Sequence, residues 1–140
     1  MRDRCIMVVE DSDEDFETVC DAARYSGLPH KIVRALSGEE CLRVLRDPLQ
    51  GRHSAPLLVL LDLNTHNDDG REVLREIRSD AKLKTLPLVV LSGSNNPRDL
   101  QFCYECGANS YHVKPVNHAL HLQVLQEIFH YWLGSVKLPE

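Results

Sequence analysis

The run Leu57-Leu58-Val59-Leu60-Leu61 leads without a break into Asp62. Five apolar residues with no polar alternation fit a strand buried on both faces, the habit of a parallel sheet covered by helices. A short buried helix satisfies the same five residues taken alone. If the run is a strand, Asp62 stands at its carboxyl end, with Leu63-Asn64 beyond it. In open α/β sheets that edge is where ligands bind. An Asp after a strand also caps turns and helices, so the assignment of Asp62 to a site depends on the rest of the chain.

The rest of the chain repeats the pattern. Cys5 to Val9 is a second continuous apolar run, and it ends in Glu10-Asp11. Asp13-Glu14-Asp15 puts acids in a first helical turn, where the macrodipole favours them. Phe16, Val19, Cys20 and Ala23 follow at helical spacing, and Gly27 ends the helix. His30 to Leu36 reads as a strand of mixed polarity, which suits a sheet edge. Ser37-Gly38-Glu39-Glu40 has the form of a capping box and opens a helix carrying Cys41, Leu42, Val44 and Leu45 inward. Asp47-Pro48 to Ala55-Pro56 is a loop by its Pro, Gly and Ser content. After Asp62 come a polar loop, Asn64 to Gly70, and a short helix marked by Val73, Leu74 and Ile77. Leu86 to Leu91 is a further strand, ended by Ser92-Gly93. Ser94-Asn95-Asn96-Pro97 starts a helix with a polar cap and Pro in the first turn. That helix carries Leu100, Cys103 and Tyr104 and stops at Gly107. Ala108 to Val113 is the last strand, before Lys114-Pro115, and a helix runs from Asn117 to about Leu133.

Five strand–helix alternations imply a parallel sheet with right-handed crossovers. Runs one, three and four are uniformly apolar, while two and five are mixed. The flavodoxin-like order 2-1-3-4-5 puts the apolar runs inside and the mixed ones at the edges. The expected architecture is therefore a doubly wound α/β fold of the flavodoxin-like (βα)5 type, one domain over 1–140. A net charge of −5 argues against nucleic-acid binding, which needs a basic surface. No apolar run approaches a membrane span, and no export signal opens the chain. The five cysteines then read as reduced thiols of a cytoplasmic protein.

In this topology the carboxyl edge collects Glu10 and Asp11 from strand one, Asp62 from strand three, Ser92 from strand four and Lys114 from strand five. Crowded carboxylates repel and need a cation. Hard oxygen donors suit Mg²⁺, which takes one or two carboxylates, waters and a phosphate. A hydroxyl and an ammonium opposite the metal would hold the other oxygens of a phosphoryl group, and such transfer needs little beyond positioning and charge neutralisation. A carboxylate nucleophile forms an aspartyl-phosphate.

Glu10-Asp11, Asp62, Asp69-Gly70, Ser92-Gly93 and Lys114-Pro115 together resemble the receiver domain of two-component response regulators, over almost the whole chain. The resemblance implies that Asp62 accepts a phosphoryl group from a sensor histidine kinase. It implies that Glu10, Asp11, Asp62 and the backbone carbonyl of Asn64 bind Mg²⁺, that Ser92 senses the phosphoryl group and that Lys114 pairs with it. Tyr111 matches the family's switch aromatic. Lys114-Pro115 matches a peptide that is cis in the family. Asn64 and Ser94 match positions that tune the rate of phosphate loss. Two departures stand out: Thr65-His66 replaces an apolar residue and Pro, and Ser92 replaces the commoner Thr.

A narrower resemblance is carried by Glu10-Asp11-Ser12, Leu61-Asp62-Leu63-Asn64, Asp69-Gly70-Arg71-Glu72-Val73-Leu74 and the tail Tyr131-Trp132-Leu133 with Leu138-Pro139. These are similar to the stand-alone regulators paired with bacterial and cyanobacterial phytochromes. That family dimerises through this end of the domain. Here Leu122, Leu125, Phe129 and Trp132 form one stripe of the last helix, and Leu120, Val124, Ile128 and Tyr131 a second. Two stripes cover more than one sheet face requires, so either a wide core contact or a homodimer surface accounts for them.

The expected function is a single-domain response regulator with no output domain, and no enzyme activity beyond its own phosphorylation and dephosphorylation. A receiver-like module that binds without phosphorylation is the alternative. A flavodoxin-type redox protein needs a phosphate cradle after strand one, where this chain has Glu10-Asp11-Ser12-Asp13-Glu14-Asp15. A haloacid-dehalogenase-type phosphatase needs a second Asp where Asn64 stands. Cys103 and Cys106 have CxxC spacing, read either as a redox or zinc pair or as two thiols on one helix. His118 and His121, three apart on a helix, and the loop residue His66 are read mainly as non-ligands.

Overall fold

The structure, a computed structural model, describes residues 4–47, 56–63 and 70–139. Its five strands are β1 (Ile6–Val9), β2 (Ile32–Ala35), β3 (Leu58–Asp62), β4 (Leu88–Ser92) and β5 (Ser110–Val113). Its helices are α1 (Asp13–Tyr25), α2 (Gly38–Arg46), α3 (Gly70–Ser79), α4 (Pro97–Glu105) and α5 (His118–His130). The strands pair in parallel in the order β2-β1-β3-β4-β5. This is the flavodoxin-like arrangement expected from the apolar runs. β1, β3 and β4 are buried at every position, whereas β2 and β5 are mostly half-buried edges.

Alternation along each inner strand builds two cores. Met7, Val9, Val59, Leu61, Leu88 and Val90 face Cys41, Leu74, Ile77 and Cys103, so α2, α3 and α4 cover one side. Ile6, Val8, Leu58, Leu60 and Leu91 face Val19, Ala22, Leu125, Ile128 and Phe129, so α1 and α5 cover the other. Ser12, Ser37, Asn96 and Asn117 cap α1, α2, α4 and α5, each side chain accepting a backbone N–H of the first turn.

Boundaries shift for local reasons. Leu86 N–H is used by a turn to Leu83, so β4 begins two residues later than expected and reaches Ser92. Gly107, at φ +101°, lets the chain turn back at the end of α4. Ala108 N–H then bonds Cys103 O, and β5 begins only at Ser110. α5 ends at His130 and continues as a π-helical turn, Tyr131–Ser135. The Lys114–Pro115 peptide, expected to be cis, is trans; X-Pro bonds intrinsically favour trans by about 0.5–1 kcal/mol. No helix among the described residues is long and apolar enough to cross a membrane.

Candidate functional site

Glu10 and Asp11 follow β1 directly, in a turn pinned on several sides. Glu10 N–H bonds Ala35 O at 3.0 Å, and Arg34 Nε donates to Glu10 O at 2.8 Å. Ser12 N–H donates to Glu10 Oε2 at 3.2 Å, while Ser12 Oγ accepts from Asp15 N–H at 3.2 Å. Asp62 closes β3 and is buried at 5% exposure. Gly70, first in α3, sits against the residue after it: a Cβ there would come within 3.1 Å of the Leu63 Cα.

Carboxylate oxygens of Glu10, Asp11 and Asp62 lie within 4.8 Å of one another. Lys114, carried in just past β5, reaches across this group. Its Nζ donates to Glu10 Oε1 at 3.1 Å, Asp15 Oδ2 at 2.8 Å and Asp62 Oδ2 at 2.8 Å. An ammonium has three N–H bonds, so its donors match these acceptors in number. Burial and the neighbouring Asp62 charge push the Glu10 carboxyl up to about 7. Burial opposes the Lys114 charge, but hydrogen bonds to Asp15 and Asp62 outweigh it and raise its pKa. The acids therefore outnumber their positive partner and the site is short of cationic charge. Three hard oxygen donors at this separation fit a divalent cation.

Ser92 ends β4 buried beside this group, in register one step past the Asp62–Leu91 pair. Its carbonyl accepts from Lys114 N–H at 2.7 Å. Its Oγ accepts from Ser94 N–H at 3.1 Å. Ser94 O in turn accepts from the half-buried Tyr111 hydroxyl at 2.9 Å, and Ser94 Oγ donates to Asp99. Ser92 and Tyr111 are thus joined through one residue of the β4–α4 loop.

Glu10, Asp11, Asp62 and Lys114 are brought together as their topology implied. Asn64, His66 and Asp69 lie outside the described residues. His118 is exposed and His121 buried, and neither belongs to a metal-competent group among the described residues. Cys103 is buried and Cys106 half-buried, with no disulfide between them. Asp15 was read from sequence only as a helix-dipole acid, and no local pattern set it apart from Asp13 and Glu14. Arg34, whose guanidinium also pairs with Asp13 and lies 4.8 Å from the Phe16 ring, had no signal beyond strand polarity. His121 is 4% exposed, and its Nε2 has no hydrogen-bond partner among the described residues.

The family model for the response regulator receiver domain matches residues 6–126. The chain belongs to this family. Among relatives of the receiver, the response regulator Rcp1 of Synechocystis sp. is 36% identical over 137 residues, covering 97% of this chain and 93% of Rcp1. The Mn²⁺-bound structure of Rcp1 superposes with a TM-score of 0.87 at 37% identity, covering 97% of this chain and 99% of that one. The phosphorylated cyanobacterial phytochrome response regulator RcpA superposes with a TM-score of 0.89 at 39% identity, covering 99% of both chains. The receiver fold and the acidic cluster at its carboxyl edge therefore coincide in one molecule with a family that signals in two-component systems.

Proposed function

We propose that this receiver works as a stand-alone response regulator, taking a phosphoryl group on Asp62 from a sensor histidine kinase. The observation that carries the reading is the Lys114 ammonium, 2.8 Å from Asp62 Oδ2 inside the cluster of acids. In the transfer an Asp62 carboxylate oxygen attacks phosphorus. The bond from phosphorus to the donor breaks, and the leaving group keeps its electron pair. Glu10, Asp11 and Asp62, with the Asn64 carbonyl, would hold Mg²⁺, which supplies charge neutralisation for the phosphoryl oxygens. Lys114 exchanges its Asp62 contact for a phosphoryl oxygen. The Ser92 hydroxyl accepts from Ser94, so its own proton is available to a second oxygen. Drawing Ser92 toward the phosphate loosens Ser94, and with it the Tyr111 hydroxyl, which conveys the state of Asp62 to the α4–β5–α5 side.

Similarity to RcpA, a cyanobacterial phytochrome response regulator, supports a phytochrome-type kinase as the phosphoryl source. On the α4–β5–α5 side Tyr104, Val113, Val116, Leu120 and Tyr131 are exposed. Their exposure supports self-association there, in keeping with a dimeric kinase as partner.

Intact mass after incubation with acetyl phosphate tests the reading. Wild type gains one phosphoryl group only with Mg²⁺, and Asp62→Asn gains none. If wild type gains nothing where a control receiver is labelled, phosphorylation by a small donor is ruled out, and the protein either takes its phosphoryl group from a kinase alone or is a binding module that acts without phosphorylation.

A further inference from the structure

Resting on the phosphoryl-acceptor reading of Asp62, we propose that Asp15 is a positioning residue for the transfer: it anchors the Lys114 ammonium from the α1 side while the other two partners change. Lys114 is held by one carboxylate from each of three elements. Glu10 follows β1, Asp62 ends β3 and Asp15 lies in the first turn of α1. Glu10 and Asp62 belong to the trio of acids placed to hold a metal cation; Asp15 does not. During transfer Asp62 becomes an acyl phosphate, and Glu10 is one of the residues that would hold the cation. Asp15 alone keeps its acceptor oxygen on Lys114 throughout, and forms or breaks no bond to phosphorus.

The placement of Asp15 is built in. Its N–H is bonded to Ser12 Oγ, while Ser12 N–H holds Glu10 Oε2, so one residue sets both acids relative to each other. The contact spans α1 to the end of β5, a sequence separation of 99 residues. It ties down a flexible four-carbon side chain whose amine would otherwise sample several rotamers once Asp62 is esterified. An ammonium displaced by even an ångström loses much of its effect on transfer.

The test compares Asp15→Ala and Asp15→Asn with wild type. Labelling by acetyl phosphate at saturation should slow about tenfold in Asp15→Ala. Asp15→Asn keeps an acceptor oxygen and should stay within about twofold of wild type. The Mg²⁺ concentration giving half-maximal labelling should be the same in all three. A wild-type rate in Asp15→Ala overturns the proposal. So does equal change in both variants, which makes the charge of Asp15 and not its anchoring oxygen responsible, or a parallel loss of Mg²⁺ response. Side-chain ammonium NMR, run with no phosphoryl donor, gives a second reading. The Lys114 signal should be sharp in wild type and Asp15→Asn and lost to exchange in Asp15→Ala; an unchanged signal in Asp15→Ala also overturns the anchor. Should wild type itself take up no phosphoryl group from acetyl phosphate, labelling by the small donor fails on its own control, while the ammonium signal still decides whether Asp15 holds Lys114.

Discussion

Two half-buried cations stand at different ends of the sheet and are held in opposite ways. Lys114, at the carboxyl edge, is surrounded by carboxylates. Arg78, near the end of α3, touches neutral oxygens only among the described residues: its Nε donates to Gly107 O at 2.9 Å, its two other nitrogens to Lys84 O, Leu86 O and Asn109 Oδ1 at 3.0, 2.7 and 2.8 Å. Burial pushes the Arg78 pKa below its usual value. The planar fork of Arg suits a cradle of carbonyls, and none of those carbonyls can change its charge. Arg78 therefore fastens α3 to the lead-in of β4 and to the α4–β5 turn permanently. On the proposed function, the carboxylates of Glu10 and Asp62 can take a metal cation in place of Lys114, and Lys114 a phosphoryl oxygen in place of Asp62. A neutral cradle fixes structure, whereas a charged one can be rewired.

That contrast is sharpened first by Arg78→Met. It strands several partly buried carbonyls and should lower stability by about 3 kcal/mol in urea unfolding, with or without Mg²⁺. A deficit that Mg²⁺ repairs would break the comparison. Lys114→Met should cost less, about 2 kcal/mol, because Glu10, already pushed up to about 7, can take a proton as the acids lose their ammonium. Here saturating Mg²⁺ should restore much of the loss, measured in the same unfolding experiment. A deficit indifferent to Mg²⁺ would show that charge is not what Lys114 supplies.

The next effect is one of pH. Burial lowers the pKa of His121; the charges of Asp15 and Asp62 oppose this, while those of Lys114 and His118 add to it. A folded pKa below the unfolded value of 6.5 means that the unfolded chain binds the proton more readily. The stability contribution of neutral His121 is complete above that value and is lost as pH falls below it. His121→Leu should flatten the acid side of a stability–pH curve and leave its alkaline side unchanged. The slope that remains includes His112, whose pKa burial also lowers. An unaltered acid limb in the variant rules His121 out as its source. The smallest change in stability is expected from Leu120→Lys, at 53% exposure on α5. It should stay within about 0.5 kcal/mol of wild type yet sediment as a monomer; a persistent dimer would remove this face from self-association.

Much of the fold was legible because the strongest signals are local or periodic. The uniform apolarity of Ile6–Val9, Leu58–Leu61 and Leu88–Leu91 ordered the sheet, and the mixed polarity of Ile32–Ala35 and Ser110–Val113 placed its edges. Ser37, Asn96 and Asn117 cap helices as polar residues at helix starts do. Misplaced boundaries came from hydrogen bonds between neighbouring turns, such as Ala108 N–H to Cys103 O, which competes with the start of β5. The second stripe was ambiguous for a geometric reason: Ile128 is buried against the sheet, but Leu120 in the first turn of α5 and Tyr131 just past its end stay exposed.

Asp15 was hidden because its local role explains it completely. An acid in a first helical turn needs no further partner, so nothing in the pattern pointed to Lys114. His121 was hidden for another reason: its spacing from His118 raised only the question of metal ligation, and its burial depends on how α5 packs. The sequence by itself determined the strand order, the helix starts and which acids gather at the carboxyl edge, since these follow from runs, caps and the ends of strands. Only the tertiary structure decided that Asp15 joins them, that Lys114 has an anchor outside the cation-binding trio and that His121 is enclosed. Those are contacts between residues far apart in the chain, and their energies depend on burial and charge that no local pattern records.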